Sequence, residues 1–193
     1  MSVRLNIIVA ACENHGIGIN GELPWKLREE MKYFSRMTKA TKSLEKQNAV
    51  MMGRKTWESI PAKFRPLPGR LNLVISSRAK LPWKHIRRDP GPEFNGSTVC
   101  ASFKEAIDEV QSRTDEVESL WAIGGSSIYE MALESEHLHR IYLTRILKDF
   151  ECDTFLPLFD PKKFQIVTDP AVPAELQQEG DITYKYEIYE KVK

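Results

Sequence analysis

The sequence predicts an α/β protein organised around a mostly parallel β-sheet. Short runs rich in Val, Ile and Leu recur along the chain, and helical patterns separate several of these runs. Some runs, such as 7–11 and 71–75, are almost continuously apolar. Continuous apolar runs are typical of central parallel strands that are covered on both faces, and their alternation with helices favours the α/β class.

Each element follows from a local pattern. The apolar runs predict strands near 4–11, 49–52, 71–76, 97–100, 119–123 and 138–146. Apolar and polar residues alternate over 182–188, which predicts a half-exposed antiparallel edge strand. Helical periodicity predicts helices near 25–41, 54–60, 102–112 and 126–134. Ser102 and Glu105 have the spacing of a capping box at the start of the third helix. The stretches 79–96 and 169–181 contain Pro and Gly and predict surface loops.

Length, charge and cysteine content predict one cytoplasmic domain spanning 1–193. A chain of 193 residues can bury a substantial core without disulfides or a metal. The formal net charge of +1 gives no indication of nucleic acid or of an anionic membrane as a partner. Cys12, Cys100 and Cys152 lack the spacing of a metal site or a disulfide framework, which favours reduced thiols. No apolar run approaches the roughly 20 residues of a membrane span. No long exposed apolar stripe demands a partner, so we expect a monomer.

Glu30 is the most informative residue, because it falls on the apolar stripe of the first predicted helix. Leu27, Met31 and Phe34 form this stripe, whereas Glu29 projects toward solvent. Burial raises the pKa of a carboxyl group, so Glu30 could hold or relay a proton near neutral pH, or bind a polar, protonatable ring. The alternative is a structural acid that pairs with an Arg or caps a neighbouring backbone.

Two glycine turns predict binding of a dinucleotide. Gly53 links the strand at 48–52 to a helix that begins with Arg54, Lys55 and Thr56, and its free backbone N–H groups can face a phosphate. A second turn, Gly124-Gly125-Ser126-Ser127, follows the strand at 120–123, and its two serines could cap the next helix. Between them, Ser76-Ser77-Arg78 ends a strand and could hold a ribose 2′-phosphate, which favours NADPH over NADH.

The segment Gly16-Ile-Gly18-Ile-Asn-Gly21 matches the dinucleotide-binding glycine pattern in spacing only. Its third glycine should lie inside a new helix, but Pro24 marks a helix start only later. We interpret 14–24 as a flexible loop between the first strand and the Glu30 helix, where it could close over a bound ligand.

Arg70 is a candidate for the far end of a ligand. Its guanidinium could form a forked contact with a carboxylate, or it could instead pair with a surface acid of this protein. His137 and His139 could lie on one face of a strand, but no Cys or acid follows in ligand spacing, so we predict no metal site.

Ordered motifs along the chain identify a family. They are Gly16-Ile-Gly18, Leu23-Pro24-Trp25, Leu27-Arg28 with Glu30, Gly53-Arg-Lys-Thr-Trp57, Arg65-Pro66-Leu67, Arg70, Trp121 with Gly124-Gly125-Ser126-Ser127-Ile-Tyr129, Thr144-Arg145, and Phe150-Glu151 with Asp153-Thr154-Phe155. With these residues the chain resembles an animal-type dihydrofolate reductase over essentially its full length.

The resemblance implies a fold and a reaction. The fold would be a mostly parallel eight-stranded sheet with an antiparallel C-terminal edge strand and four flanking helices. NADPH and dihydrofolate would meet in a cleft across the sheet, with hydride passing from nicotinamide C4 to pterin C6 and a proton reaching N5. The product, tetrahydrofolate, serves one-carbon metabolism and thymidylate and purine synthesis, and antifolates would compete for the site.

The resemblance also implies residue roles. Glu30, helped by Thr144, would bind the pterin amino group and N3 and promote protonation at N5 through water, while Arg70 would hold the α-carboxylate of the glutamate tail. The implied catalytic set is Glu30, Thr144 and Leu23. The implied substrate-binding set is Ile8, Val9, Ala10, Glu30, Met31, Phe34, Ile60, Leu67, Arg70, Ile123 and Thr144. The implied cofactor-binding set is Ala10, Ile17, Gly21, Gly53, Arg54, Lys55, Thr56, Ser76, Ser77, Arg78, Ile123, Gly125, Ser126, Ser127, Ile128 and Tyr129.

The chain departs from the vertebrate pattern around the substrate. Lys26 replaces a Pro-Pro pair, Met31 stands where Phe is usual, and Ser35 and Phe64 stand where longer polar residues would meet the folate tail. A flexible thioether reshapes a pocket wall that an aromatic ring would fix, so antifolate selectivity and tail contacts are expected to differ. Arg78 lies one place later than in the vertebrate version.

Two alternatives to this function are open. One is a relative on the same fold that reduces another heterocycle, as in riboflavin synthesis, although a substrate without a tail would not need Arg70. The other is a nucleotide- or RNA-binding module without catalysis, which the near-neutral charge and the intact Glu30 disfavour.

Overall fold

A mixed β-sheet with helices on both faces forms the centre of the fold. The structure is a computed structural model that describes residues 4–77 and 92–192. The main sheet consists of β1 (Leu5–Ala11), β3 (Gln47–Gly53), β4 (Arg70–Ile75), β5 (Thr98–Cys100), β6 (Val117–Ala122), β7 (Leu138–Ile146), β9 (Phe164–Val167), β10 (Gln177–Glu179) and β11 (Ile182–Lys191). A separate pair consists of β2 (Gly16–Gly18) and β8 (Thr154–Phe155).

The strand order confirms the predicted fold class. The sheet runs β10-β11-β7-β1-β6-β3-β4-β5, and the strands from β7 to β5 are parallel. β11 is antiparallel to β7, and β10 and β9 both pair with the opposite side of β11. Because β9 and β10 share that side, the sheet is eight positions wide.

The edge position predicted for the C-terminal strand is wrong. β11 is antiparallel, as expected, but it lies inside the sheet between β7 and the short strands β9 and β10. The alternating pattern of β11 indicates which face of the strand is exposed to solvent, but it does not indicate which strands lie on either side of β11 in the sheet. The segment 169–181, predicted to be a loop, contains the short strand β10. The prediction missed this strand because its three residues, Gln177 to Glu179, are polar and give no apolar strand signal.

The four predicted helices are present as α1 (Arg28–Lys39), α2 (Arg54–Ser59), α3 (Phe103–Gln111) and α4 (Ser126–Glu134). The Ser102 side chain accepts a hydrogen bond from the Glu105 N–H at 3.1 Å, which confirms the predicted cap of α3. α1 begins three residues later than predicted, because Leu27 is still extended with φ −120° and ψ 103°. Trp25 and Leu27 are buried in the extended segment that precedes α1, so they do not form a solvent-facing first turn of this helix.

Apolar clusters lie on both faces of the sheet, and the alternation of side chains along β1 divides Ile7, Ile8 and Val9 between the two faces. Ile7 and Val9 pack with α3 and α4, whereas Ile8 packs with Tyr33 and Met37 of α1. Full burial of each such side chain contributes about 1.5–3 kcal/mol. The same packing corrects the predicted stripe of α1, whose buried residues are Glu30, Tyr33, Met37 and Thr38. Met31 is 48% exposed, so the stripe lies about one residue away from its predicted position.

The segment after β1 is the predicted non-helical connection. β2 pairs with β8, a bridge between Ile19 and Glu22 closes a turn, and no helix begins before Arg28. A Cβ at Gly16 would lie 2.6 Å from the Cβ of Cys152, so this glycine allows β2 to approach the 150–156 segment closely.

The described residues can also be assessed for membrane-spanning helices and for clusters of metal-binding side chains. No helix there is long and apolar enough to cross a membrane. No group of three or more His, Cys, Asp or Glu side chains in 4–77 and 92–192 could hold a metal ion. His137 and His139 lie instead near Glu136 and Glu190, at 3.9 and 3.7 Å.

Candidate active site at the carboxyl ends of the parallel strands

The predicted site residues follow the carboxyl ends of neighbouring strands. β1, β6, β3 and β4 are consecutive in the sheet, and each is followed by a turn that carries predicted ligand-binding residues. Ligands bind at this edge of open α/β sheets, because the loops there converge on a crevice. α1 contributes Glu30 from the chain that follows the first of these turns.

Glu30 lies in the first turn of α1 and is buried, with 6% of its surface exposed. The Thr144 hydroxyl on β7 is fully buried and donates a hydrogen bond of 3.0 Å to Glu30 Oε1. No Lys or Arg within the described ranges forms an ion pair with Glu30, so the alternative of an acid paired with an Arg is wrong.

The surroundings of Glu30 raise the pKa of its carboxyl group from the ordinary 4.5 to about 7. Desolvation is the main cause, since burial disfavours the charged form. The Thr144 hydrogen bond lowers the pKa, and the negative charge of Glu179 raises it. A carboxyl group with this pKa exchanges a proton near neutral pH, which is the property required of a general acid.

An apolar wall lies on the same face of the sheet as Glu30. Phe34, Ile60, Leu67 and Ile123 are partly buried and pack against the cluster that contains Ile8. All five are in the predicted substrate-binding set.

Other predicted residues of this set take different positions. Ala10 packs beside Trp25 and Leu27, whereas the Val9 side chain faces the opposite cluster, so that only its backbone faces the α1 side. Leu23 and Met31 are 50% and 48% exposed, respectively.

Arg70 begins β4 and is buried. Its Nε donates to the Pro68 carbonyl at 3.1 Å, and its Nη1 donates to the Thr38 hydroxyl at 2.8 Å. Burial lowers the pKa of the guanidinium, and no acid in the part of the chain described here pairs with it. The alternative of a surface ion pair is therefore wrong. Two contacts leave further guanidinium N–H groups for an external carboxylate.

The two glycine turns meet, as the dinucleotide prediction requires. The Gly53 N–H donates to the Gly124 carbonyl at 2.8 Å, and β3 and β6 are adjacent. Gly124 has φ +119° and precedes Gly125 through a cis peptide bond. Gly53 and Gly125 are half-buried, whereas Gly124 is buried, so part of the backbone of each turn is accessible. A Cβ on Gly125 would lie 3.5 Å from Thr56 Oγ1.

Several side chains at these turns have partners that the sequence did not indicate. Arg54 binds Glu58 with both contacts at 2.7 Å, whereas Lys55 is exposed. Gly125 is the residue that caps α4, without a side-chain hydrogen bond, so the prediction of a serine cap is wrong. Ser126 donates instead to the Phe155 carbonyl at 2.8 Å, and Ser127 is exposed.

The remaining cofactor-binding predictions are distributed around these turns. The buried Tyr129 hydroxyl donates to the Ile8 carbonyl at 3.0 Å, which joins α4 to β1 beneath the site. The other predicted positions are the half-buried Ile17, the exposed Gly21, the buried Ser76 and Ile128, the exposed Ser77, and Arg78, which lies outside the described residues.

Glu179 is a residue of the site that no sequence pattern indicates. This residue belongs to β10, yet its carboxylate accepts hydrogen bonds from the backbone N–H groups of Arg28, Glu29 and Glu30 at 2.7, 3.0 and 3.3 Å. Its position 149 residues after Glu30 gives no local signal, and the segment 169–181 was expected to be a loop.

Comparison with known proteins agrees with this geometry. The family profile described as Dihydrofolate reductase matches residues 4–191. The dihydrofolate reductase of Heliothis virescens is 45% identical over 190 residues, which cover 98% of each chain. That of Gallus gallus is 44% identical over 189 residues, covering 97% of this chain and 96% of the relative.

Comparison with a solved structure shows that the similarity extends to the fold. Schistosoma mansoni dihydrofolate reductase superposes with a TM-score of 0.82 at 36% identity, and the alignment covers 100% of both chains. Its fold therefore contains the same mostly parallel sheet, and the buried acid, the guanidinium and the glycine turns of this chain occupy that sheet's carboxyl edge. The family profile, the similar sequences and the solved structure each match nearly the whole length of this chain. The chain therefore belongs to the dihydrofolate reductase family.

Proposed function

We propose that this protein reduces 7,8-dihydrofolate to 5,6,7,8-tetrahydrofolate with NADPH, and that Glu30, Thr144 and Arg70 are central to that activity. The observation that carries the proposal is the burial of Glu30 without a cation, which brings the pKa of its carboxyl group to about 7. A proton is then available at neutral pH beside the apolar wall where a flat heterocycle would lie.

The residues at the strand ends fit NADPH. Gly53 and Gly125 are half-buried and lie where helices α2 and α4 begin, which suits phosphate groups. Lys55 and Ser77 are exposed beside these turns and supply charge and a hydroxyl. NADPH, when bound, supplies the hydride. The protein's contribution is to orient both ligands and to handle the proton.

Glu30 and Thr144 bind the pterin and control its protonation. In its ionised form Glu30 accepts hydrogen bonds from the pterin amino group and N3, and Thr144 fixes Oε1 for this contact. In its protonated form Glu30 is the source of the proton that reaches N5. Because the pKa is about 7, the protonated fraction falls as pH rises above neutrality, and turnover is expected to fall with it.

Arg70 selects a substrate with an acidic tail. It is buried at the start of β4, is anchored by Thr38 and Pro68, and retains donors for the α-carboxylate of the glutamate tail. Phe34 of α1 and Leu67, three residues before Arg70, pack against the same apolar cluster. A reductase of a heterocycle without a tail has no use for such a cation, which disfavours that alternative.

The assay follows the loss of NADPH absorbance on addition of dihydrofolate. Glu30→Gln is expected to lower turnover at pH 7 by about a hundredfold or more, because general acid catalysis contributes on this scale. Glu29→Gln is the matched control, since Glu29 is the exposed neighbour and is paired with Lys32. Equal turnover of wild type and Glu30→Gln would refute the role of Glu30. NADPH binding without any turnover in the wild type would favour a binding module.

We also infer that residues 1–193 act as a single, monomeric domain in the cytoplasm, with small molecules as partners and without nucleic acid or membrane. Cys12, Cys100 and Cys152 are not joined in disulfides, which supports a reducing compartment, and the net charge of +1 offers no basis for binding polyanions. Light scattering during size-exclusion chromatography tests the monomer, whose expected mass is 22.2 kDa.

A further inference from the structure

The N-terminus of α1 is capped by a residue from a distant part of the chain. The first N–H groups of a helix have no partner within the helix. Leu27 occupies the N-cap position of α1 and cannot cap with its side chain. The Glu179 carboxylate accepts from the N–H groups of Arg28, Glu29 and Glu30 instead, so one side chain satisfies the start of the helix that carries the acid.

The local fold holds Glu179 in this position. Glu179 pairs with Ile182 at the end of the β10–β11 hairpin, and Gly180 in the turn has φ +60°, a conformation that favours glycine. The Tyr184 hydroxyl, from a fully buried ring on β11, donates to Glu179 Oε1 at 2.8 Å. The carboxylate is therefore fixed from the sheet side as well as from the helix side.

We propose that Glu179 is a positioning residue for catalysis, which fixes the first turn of α1 and whose negative charge, held at that helix end, adds to the effect of burial in keeping Glu30 protonated near neutral pH. This inference rests on the proposed function, in which Glu30 is the source of the proton. Glu179 itself does not need to contact either ligand.

Electrostatics at the helix end explains how this works. An acid at the third helical position ordinarily gains from the positive end of the helix dipole and ionises more easily. Glu30 holds this position in α1, but the three N–H groups already bind Glu179. The charge of one carboxylate makes ionisation of a nearby carboxyl group less favourable, and the group with more hydrogen bonds to its charged form ionises first. Accordingly, Tyr184 and the three N–H groups lower the pKa of Glu179, whose charge raises the pKa of Glu30.

The other groups around Glu30 do not replace this charge. The Thr144 hydroxyl on β7 is neutral and lowers the pKa of Glu30. Tyr33 on α1, Tyr129 on α4 and Tyr186 on β11 all interact with Glu30, but burial raises the pKa of each phenol, so they remain neutral near pH 7. Within the described residues, Glu179 is therefore the charged group that acts on Glu30.

The test measures the pKa of Glu30 directly in the ligand-free protein. Carbon-13 NMR of protein labelled at the glutamate carboxyl carbon follows each titration, and the signal that disappears in Glu30→Gln identifies Glu30. Glu179→Gln keeps the shape of the side chain and removes its charge. We expect the pKa of Glu30 to fall by about half a unit to one unit, a minor part of its total shift, because desolvation is the larger cause. Glu29→Gln, with Glu29 exposed in the same turn, is expected to change it by less than about a third of that amount.

The pH profile of turnover supplies a second readout that a purely structural cap would not move. If the pKa of Glu30 falls by one unit, the alkaline decline of kcat begins about one pH unit lower, and turnover at high pH falls about tenfold. A cap that acts only on folding would lower stability and leave the midpoint of this decline unchanged.

The wild type provides a check that does not depend on whether a variant folds. Glu179 is half-buried, and salt screens partly buried charges less than exposed ones, so about 1 M NaCl is expected to lower the pKa of Glu30 only part of the way toward its value in Glu179→Gln. An unchanged pKa of Glu30 in Glu179→Gln, or in wild type at high salt if that variant does not fold, overturns the inference. Dihydrofolate reduction by the wild type would still stand in that case, whereas absence of this activity would overturn the proposed function instead.

Discussion

The buried acid should make the ligand-free protein less stable as pH rises, and Glu30→Gln should remove this dependence. The pKa of Glu30 is raised from 4.5 to about 7 in the folded protein, so between these values the folded state binds more protons than the unfolded state. Stability then falls as pH rises through this window, because the free energy of unfolding follows the difference in bound protons. The contribution of Glu30 to stability is fully present below its pKa of 4.5 in the unfolded state, and it is lost as pH rises through its pKa of about 7 in the folded state.

The expected magnitude follows from the same two values. The difference between 4.5 and about 7 is about 2.5 pKa units, and each unit corresponds to about 1.4 kcal/mol. The full effect is therefore roughly 3 kcal/mol, of which about 2.5 kcal/mol falls between about pH 5 and pH 8.5. This is a substantial part of the total stability of an ordinary domain, which is about 5–15 kcal/mol.

Urea unfolding at several pH values measures the effect. The wild type is expected to lose about 2.5 kcal/mol more than Glu30→Gln between about pH 5 and pH 8.5. A neutral amide in place of the acid can shift the whole curve if its NH₂ group lacks a partner, but it cannot add a slope in this range. Glu29→Gln, which removes the same formal charge from an exposed position, should retain the wild-type slope. Parallel curves for wild type and Glu30→Gln would show that the reasoning about desolvation is wrong.

Three further predictions concern the substrate tail, the cofactor turns and the segment after β1. Arg70→Leu should raise the KM for dihydrofolate by about tenfold or more and leave the KM for a pterin without a glutamate tail unchanged, because a forked contact with a carboxylate contributes about 1.5–3 kcal/mol. Gly125→Ala should fold normally, since its Cβ would lie 3.5 Å from Thr56 Oγ1, but should weaken NADPH binding in a fluorescence titration, because the methyl group covers the backbone. A normal affinity in that variant would exclude this turn from the cofactor site. Gly16→Ala should lower the free energy of unfolding, measured in urea, by about 1–3 kcal/mol, because its Cβ would overlap the Cys152 side chain. An unchanged free energy of unfolding in this variant would mean that β2 can move away from the 150–156 segment without cost.

The fold was largely predictable, because its signals are local. Apolar runs identified the parallel strands of the sheet, and glycine followed by helical periodicity placed the starts of α2 and α4. Glu30 was also identified correctly as buried, although the stripe around it was misplaced. Its neighbours Tyr33 and Met37 face the sheet, whereas Met31 does not, and this rotation depends on how β1 and β11 fill the other side of the interface.

What the sequence could not provide are contacts between distant segments. Glu179 caps α1 across 149 residues, and Thr144 reaches Glu30 across 114 residues. No helical or strand period links such positions, so only the topology of the sheet brings them together. For Thr144, the family resemblance replaced this missing information, whereas Glu179 was found only in the structure.

The position of Glu30 links stability to ligand binding. Above neutral pH the ligand-free protein holds a desolvated carboxylate that, among the described residues, accepts a side-chain hydrogen bond only from the Thr144 hydroxyl, and this destabilises the fold by up to roughly 3 kcal/mol. A ligand that offers an amino group and a ring N–H to this carboxylate supplies the missing donors, so part of its binding free energy comes from relieving that cost. Ligands that carry these two N–H donors should therefore lower the pKa of Glu30 and stabilise the protein most at alkaline pH. Ligands that replace the amino group with hydrogen should lose this pH-dependent stabilisation, which separates recognition by Glu30 from general apolar burial.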